Sequence, residues 1–407
     1  MSRFAELRGR AFWVVLGCLI CQMGLGYGYV FGPLAVDILA EFEWTRAMYS
    51  AARAPQLFVI ALASPLIGVL TVRFGARSVL TGATLLLALG FVAVSQMQAI
   101  WQLYAVTLLL GLSVTGLGDI TVSQAVSQWV TRNRGLALGI VFTGSNLGGA
   151  LLTRLGSGIA DAWGWREAFL WIGVGGLLVM LPFALFAVRE PTRRDALPKL
   201  SEEESDARHD DGDMDLRAAL RTRSFWILAG SLFVFFFYFL GMLEHLVLFL
   251  TDVGMERSVA AGHFSNAIAL GIISKVALGA LADRIPHRSA LLIDYGLLAV
   301  SSILLLFLPS PVFLPLFVIS YGFSVAARDV VYPLIISDCF GLRYMAQIYG
   351  ALMIALLPGG ALGPIFAALV HDRSGSYEIA FATFAVLNCL AVGALTLVRR
   401  ELRPERS

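Results

Sequence analysis

The sequence predicts an all-α membrane protein of twelve transmembrane helices in two pseudo-symmetric six-helix bundles. Three observations predict it. The first is composition: of 407 residues, 58% are hydrophobic and 14% charged, with a mean hydropathy of +0.78, whereas soluble domains carry roughly 25% charged residues. Too few polar side chains remain to cover a water-facing surface. This excludes a soluble enzyme, a secreted disulfide scaffold and a disordered chain. A net charge of only +2 with no separate basic domain argues against nucleic-acid binding. The second observation is a series of twelve apolar runs, each near the ~20 residues that cross a bilayer as a helix. The third is an internal repeat.

The runs fall at about 11–36, 47–71, 78–98, 100–128, 135–160, 166–188, 224–250, 258–282, 289–308, 311–337, 344–370 and 377–398. The first follows Arg3, Arg8 and Arg10 and superficially resembles a signal peptide, but no A-x-A-like cleavage site interrupts it before about Val36, so it reads as a spanning helix. Cys18 and Cys21 form a CxxC inside it without His or acidic neighbours, and Cys339 and Cys389 are isolated. They read as small apolar residues, and no zinc site, structural disulfide or cofactor is expected. Between the sixth and seventh runs, residues 189–223 carry ten acids and eight Arg or Lys, the composition of a solvated linker. The expected organisation is therefore a bundle at 1–188, a cytoplasmic linker at 189–223 and a second bundle at 224–407.

Basic residues set the orientation. With the termini and linker on one side, 22 of the 30 Lys and Arg lie there, and only Arg46, Arg166, Arg257 and Arg373 lie opposite. That asymmetry places both termini in the cytoplasm of a cell (inner or plasma) membrane. The repeat supports the two-bundle reading. Gly68, Leu70, Arg73 and Arg77 correspond to Gly279, Leu281, Arg284 and Arg288 at a constant spacing of 211 positions. Gly149 and Ala150 match Gly360 and Ala361, and Asp161 and Glu167 match Asp372 and Glu378, at the same spacing. Six crossings return the chain to its starting side, so the halves are parallel, the layout in which substrate sits near the midplane between rocking halves.

The segment Gly279-Ala-Leu-Ala-Asp283-Arg284-Ile-Pro-His-Arg288 resembles the loop motif of the major facilitator superfamily. The first-half copy, Gly68 to Arg77, has Val72 where the family carries Asp. It therefore lacks the usual charged clamp, although Arg73 and Arg77 remain able to meet helix C-terminal carbonyls. The stretch Trp129 to Gly139, followed by Gly144-Ser145 and Gly148, is similar to the signature of monocarboxylate transporters and oxalate:formate-type exchangers. So are Phe42 to Arg46, Asp338 to Arg343, Tyr349-Gly350, Gly363-Pro364 and Asp372 to Tyr377. The resemblance implies the superfamily's fold, with the third, sixth, ninth and twelfth helices peripheral.

Ionisable groups in mid-membrane cost about 2.5–3.5 kcal/mol each on insertion scales, so each calls for a reason. They are Arg53, Asp119, Arg154, Glu244, His245, Lys275, Arg328 and Asp329, and none is expected in the middle of the four peripheral helices. At 1.5 Å per residue they form two layers, one on each side of the midplane. Lys275 is one of two lysines in the chain. The resemblance places it where related transporters carry a carboxylate-binding base, usually Arg. Lys offers a point charge instead of a fork. Two roles stay open for it, anion binding or a structural pair with Asp119 or Asp329. Arg328 and Asp329 are neighbours about 100° apart on one helix, so they do not face one partner squarely.

The expected substrate-binding set is Lys275, Arg328, Arg53, His245, Tyr332, Asn146 and Tyr29, with Tyr27 a weaker donor. Asp119, Asp329 and Glu244 are the candidates for proton coupling, a desolvated carboxylate being able to hold a proton near neutrality. Salt bridges from Lys275 and Arg328 are the equal alternative for Asp329, and a pair with Glu244 that for Arg53. Arg73, Arg77, Asp283, Arg284, Arg288 and Arg154 are expected to gate or to brace. Asp119, Ser123 and Ser127 recur every four residues as one polar stripe, with Gln124 beside it. No phosphate-binding GxxxxGK[ST] loop, nucleophile–base set or metal cluster occurs, so neither ATP-driven transport nor an enzyme is expected. The expected function is secondary transport of a small organic anion, as monocarboxylate–proton symport. The alternative is a dicarboxylate exchanger or an exporter of an amphipathic or cationic compound. Its partners are the anion, the proton and membrane lipid, with no nucleic acid, and the working unit is a monomer.

Overall fold

The computed structural model describes residues 9–44, 46–53, 55–131, 133–191 and 213–401. The expected linker lies mostly outside them. Every regular element among the described residues is a helix, and the chain forms two compact units, Met1–Ser205 and Asp206–Ser407.

In the first unit, α1 (Arg10–Gln22) continues through a tighter 3-10 stretch, Met23–Val30, into α2 (Phe31–Phe42). Runs of 3-10 helix this long are uncommon, and three of its eight residues are Gly, the poorest helix former after Pro. Next come α3 (Arg46–Arg53) and α4 (Pro55–Ser95). The 41 residues of α4 would span about 61 Å at 1.5 Å each, twice a ~30 Å hydrocarbon core. Gly75, at φ 82° and ψ 156°, resolves this. Only glycine adopts that conformation cheaply, and there the chain turns from the second expected span into the third. Among the described residues, eleven helices are long and apolar enough to cross a membrane; the turn at Gly75 divides one of them and makes twelve. The expected fourth span is broken at Gly118 into α5 (Ile100–Leu117) and α6 (Asp119–Trp129). The unit ends with α7 (Arg134–Trp163) and α8 (Trp165–Pro182), the latter closing in a wide π turn, Phe183–Ala187.

The second unit begins with α9 (Leu216–Ala219) and α10 (Arg223–Asp252), whose N-cap residues Asp215 and Thr222 accept hydrogen bonds from Ala218 N and Phe225 N. It continues with α11 (Arg257–Ala282), α12 (His287–Leu304), α13 (Phe313–Phe340), α14 (Met345–Leu352), α15 (Leu356–Ser374) and α16 (Glu378–Leu395). Helix α10 packs on α15, α11 on α13, and α12 on α13 and α16.

The repeat acquires a physical cause here. A Cβ at Gly148 would strike the Met23 carbonyl oxygen, and one at Gly359, 211 positions later, would lie 2.6 Å from the Phe233 carbonyl oxygen. Small residues let membrane helices approach backbone to backbone, and the same crossing is built twice, α7 on the 3-10 stretch and α15 on α10. The outward faces carry exposed Leu62, Trp101, Leu178, Trp226 and Leu390, at home against lipid. The protein is a multi-pass membrane protein.

One lock lies beyond the apolar stretch Arg10–Val30. Arg166 pairs with Glu41 at 2.7 Å and donates to the carbonyls of Ser95 and Met97 at 3.0 and 2.7 Å. Trp165 Nε1 donates to the other Glu41 oxygen at 2.7 Å. The hydrogen bond from Arg166 holds the Glu41 carboxyl below its ordinary range. A depressed carboxylate stabilises the fold above its unfolded-state pKa, and that stability is lost as pH falls through the folded-state value. Glu41→Gln is therefore expected to lower the melting temperature at neutral pH. The deficit should shrink below about pH 4.3, the ordinary Glu value. Both side chains are more than a third exposed, so the effect is about 1 kcal/mol at most. Thermal melts at both pH values check it.

Candidate functional site

Packing of α11 on α13 brings three predicted residues together in the second unit. Lys275 Nζ lies 3.1 Å from Asp329 Oδ2, and Arg328 Nη2 lies 2.5 Å from Asp329 Oδ1. Both cations are buried, Lys275 at 5% and Arg328 at 8% exposure. The 100° offset between Arg328 and Asp329 does not keep them apart, because the long guanidinium stem bends back to its neighbour. Lys275 takes Asp329 as a structural partner, and the carboxylate lies between two cations. The Arg328 guanidinium also sits over the Phe235 and Phe236 rings of α10, 5.1 and 5.4 Å from their centroids, and donates to the Tyr349 hydroxyl at 3.2 Å. Aromatic faces favour a desolvated cation, which is why so polar a group tolerates this site.

Asp294, on α12, was not foreseen. It is 2% exposed, and electrostatic interactions link it to both Arg328 and Asp329. The expectation that the ninth span holds no charge in its middle is thus overturned. Its signal was available: a lone Asp within the apolar run Ala290-Leu-Leu-Ile-Asp294-Tyr-Gly-Leu-Leu.

Other predicted residues bond neighbouring helices. Tyr332 is fully buried, its hydroxyl 2.6 Å from Ser231 Oγ and 2.8 Å from the Tyr295 hydroxyl. Tyr295 donates in turn to the Ser231 carbonyl at 2.9 Å. This interhelical network, with Ser231 and Tyr295 unforeseen, engages the Tyr332 hydroxyl inside the bundle. His245 bonds the Pro364 carbonyl through Nε2 and the Tyr377 hydroxyl through Nδ1, both at 3.1 Å. A carbonyl only accepts, so Nε2 carries the proton and donates, and Nδ1 accepts from the tyrosine. Both ring nitrogens are thus engaged within the second unit. Tyr27 is likewise buried and donates to the Ile172 carbonyl at 3.2 Å.

Glu244 and Arg154 are exposed, and neither forms an ion pair among the described residues. The Arg53 side chain lies outside what the structure describes. In the first unit, Asp119 is the first residue of α6, where the helix N-terminus favours a carboxylate, and it accepts from Gln22 Nε2 at 3.4 Å. Ser123, Gln124 and Ser127 of the same stripe are buried. Asn146 Oδ1 accepts from Ser145 Oγ at 3.3 Å. Tyr29 is 57% exposed, and its ring covers Gly149.

In the loop motif, Asp283 is the C-cap residue of α11, while Arg284 and Arg288 are exposed. Beside them His287 Nδ1 lies 2.6 Å from Asp338 Oδ2 at the end of α13. Arg73 is exposed, with its guanidinium 5.3 Å from the Phe74 ring centroid, and Arg77 is exposed. Neither bonds a helix-end carbonyl among the described residues. A cavity of about 430 Å³ in the first unit, lined by Arg10, Trp13, Trp129, Phe186 and Arg189 among others, contains none of the predicted site residues.

Comparison with known proteins agrees with this architecture. The chain is 25% identical over 387 residues to monocarboxylate transporter 13 of Bos taurus, covering 94% of this chain and 88% of that one. It is 31% identical over 252 residues to the MFS-type transporter pytF of Aspergillus terreus, covering 60% and 77%. The crystal structure of the E. coli fucose:proton symporter superposes with a TM-score of 0.71 at 13% identity, over 95% of this chain and 99% of that one. Residues 14–364 match the profile of the Major Facilitator Superfamily. The twice-built glycine crossings, the twelve spans and this match have one reading: the chain is a transporter, not an enzyme, and belongs to the major facilitator superfamily.

Proposed function

We propose that the protein is a secondary active transporter carrying a small organic anion, a monocarboxylate, together with a proton by alternating access. The observation that carries this reading is the Lys275–Asp329–Arg328 arrangement. Two buried cations share one carboxylate, so the trio holds one positive charge in excess. Burying two cations beside one carboxylate gives a site whose charge is complementary to a substrate carboxylate. In this reading Lys275 and Arg328 attract the anion and Asp329 holds them in place between binding events. The relative named a monocarboxylate transporter supports the substrate class. The basic-residue asymmetry supports cytoplasmic termini joined through a cytoplasmic linker between the two bundles.

The direct test is uptake of labelled lactate-like acids into proteoliposomes under an inward proton gradient. Truncating one member of a buried, hydrogen-bonded charge pair costs about 2–5 kcal/mol. Lys275→Ala is therefore expected to weaken uptake by roughly 30-fold or more, and unaltered uptake would remove Lys275 from the anion site. One observation favours a second reading: two cations at one site also suit the two carboxylates of a dicarboxylate exchanger. Counterflow from preloaded vesicles, without any pH gradient and with dicarboxylates preferred, would select it.

A further inference from the structure

Asp294 is the only acid in the long apolar run of α12, and nothing above assigns it a role. It is 2% exposed, and its Oδ1 atom has no hydrogen-bond partner among the described residues. A fully buried carboxylate oxygen left unmatched is costly. Protonation removes that charge, so the oxygen stands as a vacancy for a proton. Asp329, by contrast, has a cation on each oxygen, the arrangement that keeps a carboxylate ionised.

The groups around Asp294 come from α12 and the helices packed on it, α10 adding Ser231, bonded to Tyr295 and Tyr332, and the Tyr238 hydroxyl, bonded to Ser301. Helix α13 contributes Arg328, Asp329 and Tyr332, α12 itself Tyr295, and α11 Lys275 through its pair with Asp329. Helix α16 contributes no charged side chain after Glu378, only the buried amide Asn388 and the exposed Cys389. Charge therefore settles the local balance. With Asp294 ionised, two acids offset Lys275 and Arg328 and the four residues are neutral. With Asp294 protonated, they carry one net positive charge.

We propose that Asp294 is the proton-coupling residue of this transporter, acting from the ninth span behind the anion site instead of from within it. The inference rests on the monocarboxylate reading above. Uptake of one proton forms an O–H bond at the Asp294 carboxyl and turns the neutral cluster into one that attracts a single anion. Release of the anion leaves the positive charge uncompensated, the O–H bond breaks, and the proton departs to the same side. One proton and one monocarboxylate move per cycle, and no other reactant is consumed.

The test uses the full-length protein in proteoliposomes with labelled lactate. One proton per anion across a gradient of one pH unit supports about tenfold accumulation. Asp294→Asn is expected to reduce accumulation to about onefold while keeping counterflow in the absence of a gradient. Asp294→Glu, which restores a carboxyl, is expected to keep gradient-driven uptake. Infrared difference spectra between acidic and alkaline pH supply a readout independent of substrate. The carbonyl band of a protonated carboxyl should vanish in Asp294→Asn, shift in Asp294→Glu and persist in Asp329→Asn. Gradient-driven accumulation by Asp294→Asn, or a band unchanged in both Asp294 variants, would overturn the assignment. If the wild type carries no monocarboxylate, the functional reading falls, and the infrared band still decides whether Asp294 takes up the proton. Should the Asn variant not fold, the band shift in the Glu variant decides alone.

Discussion

Asp329→Asn is expected to abolish uptake and to destabilise the second unit more than any other single change in the charge cluster. The substitution preserves the shape of the side chain and removes only its charge. Lys275 at 3.1 Å and Arg328 at 2.5 Å then lose the carboxylate they share, in a site where they are 5% and 8% exposed. Breaking a buried pair by removing one partner costs about 3–5 kcal/mol, because a charge is left uncompensated. The melting temperature in detergent should fall clearly. Removing the stranded cation as well, in Asp329→Asn/Lys275→Met, should restore part of the stability, since an apolar replacement of a buried pair is often neutral. It should not restore uptake. An unchanged melting temperature in the single variant would show that Asp329 is not the counterion that holds the site.

A comparable loss is expected at the glycine crossings, for a steric reason. In Gly148→Leu the new side chain meets the Met23 backbone, and in Gly359→Leu its Cβ would lie 2.6 Å from the Phe233 carbonyl oxygen. Overpacking a core costs about 1–3 kcal/mol when neighbouring side chains can shift. Here the obstacle is main chain, so helices must separate and the cost lies at or above that range. Both variants should fail to give a monodisperse peak in size-exclusion chromatography. Gly230→Ala is the control, because no atom lies within 4 Å of its added Cβ, and it should behave as the wild type. A monodisperse Gly359→Leu with an unchanged melting temperature would contradict the close crossing.

The two results divide what can be read in one dimension from what cannot. The repeat at 211 positions is visible as matched letters, but that Gly148 and Gly359 each face a main-chain carbonyl of a crossing segment is visible only in the structure. Lys275, Arg328 and Asp329 stood out in the chain as charges out of place. That all three meet, with one carboxylate between two cations, depends on how α11 and α13 are rotated about their axes, and a list of charged positions does not contain that rotation. His245 and Tyr332 show the limit from the other side. A polar residue in an apolar run looks the same whether it faces substrate or spends its donors on a neighbouring helix. Asp294 is legible as a lone acid in an apolar run, but that its side chain is buried beside Arg328 and Asp329 depends on how α12 packs on α13.

Composition and run length by themselves determined that the chain leaves water and how often it crosses. Those are properties of windows of about 20 residues, and the free energy of moving such a window into a bilayer is nearly a sum over its own side chains. Which acid meets which cation, which hydroxyl is satisfied, and where two backbones touch were decided only in the tertiary structure. These are pairwise energies between residues far apart in the chain, strong in a dry interior and dependent on shifts of a few ångströms. The membrane protein was therefore written in the sequence, and the charge cluster on which its transport is proposed to depend was set by the packing of α11, α12 and α13.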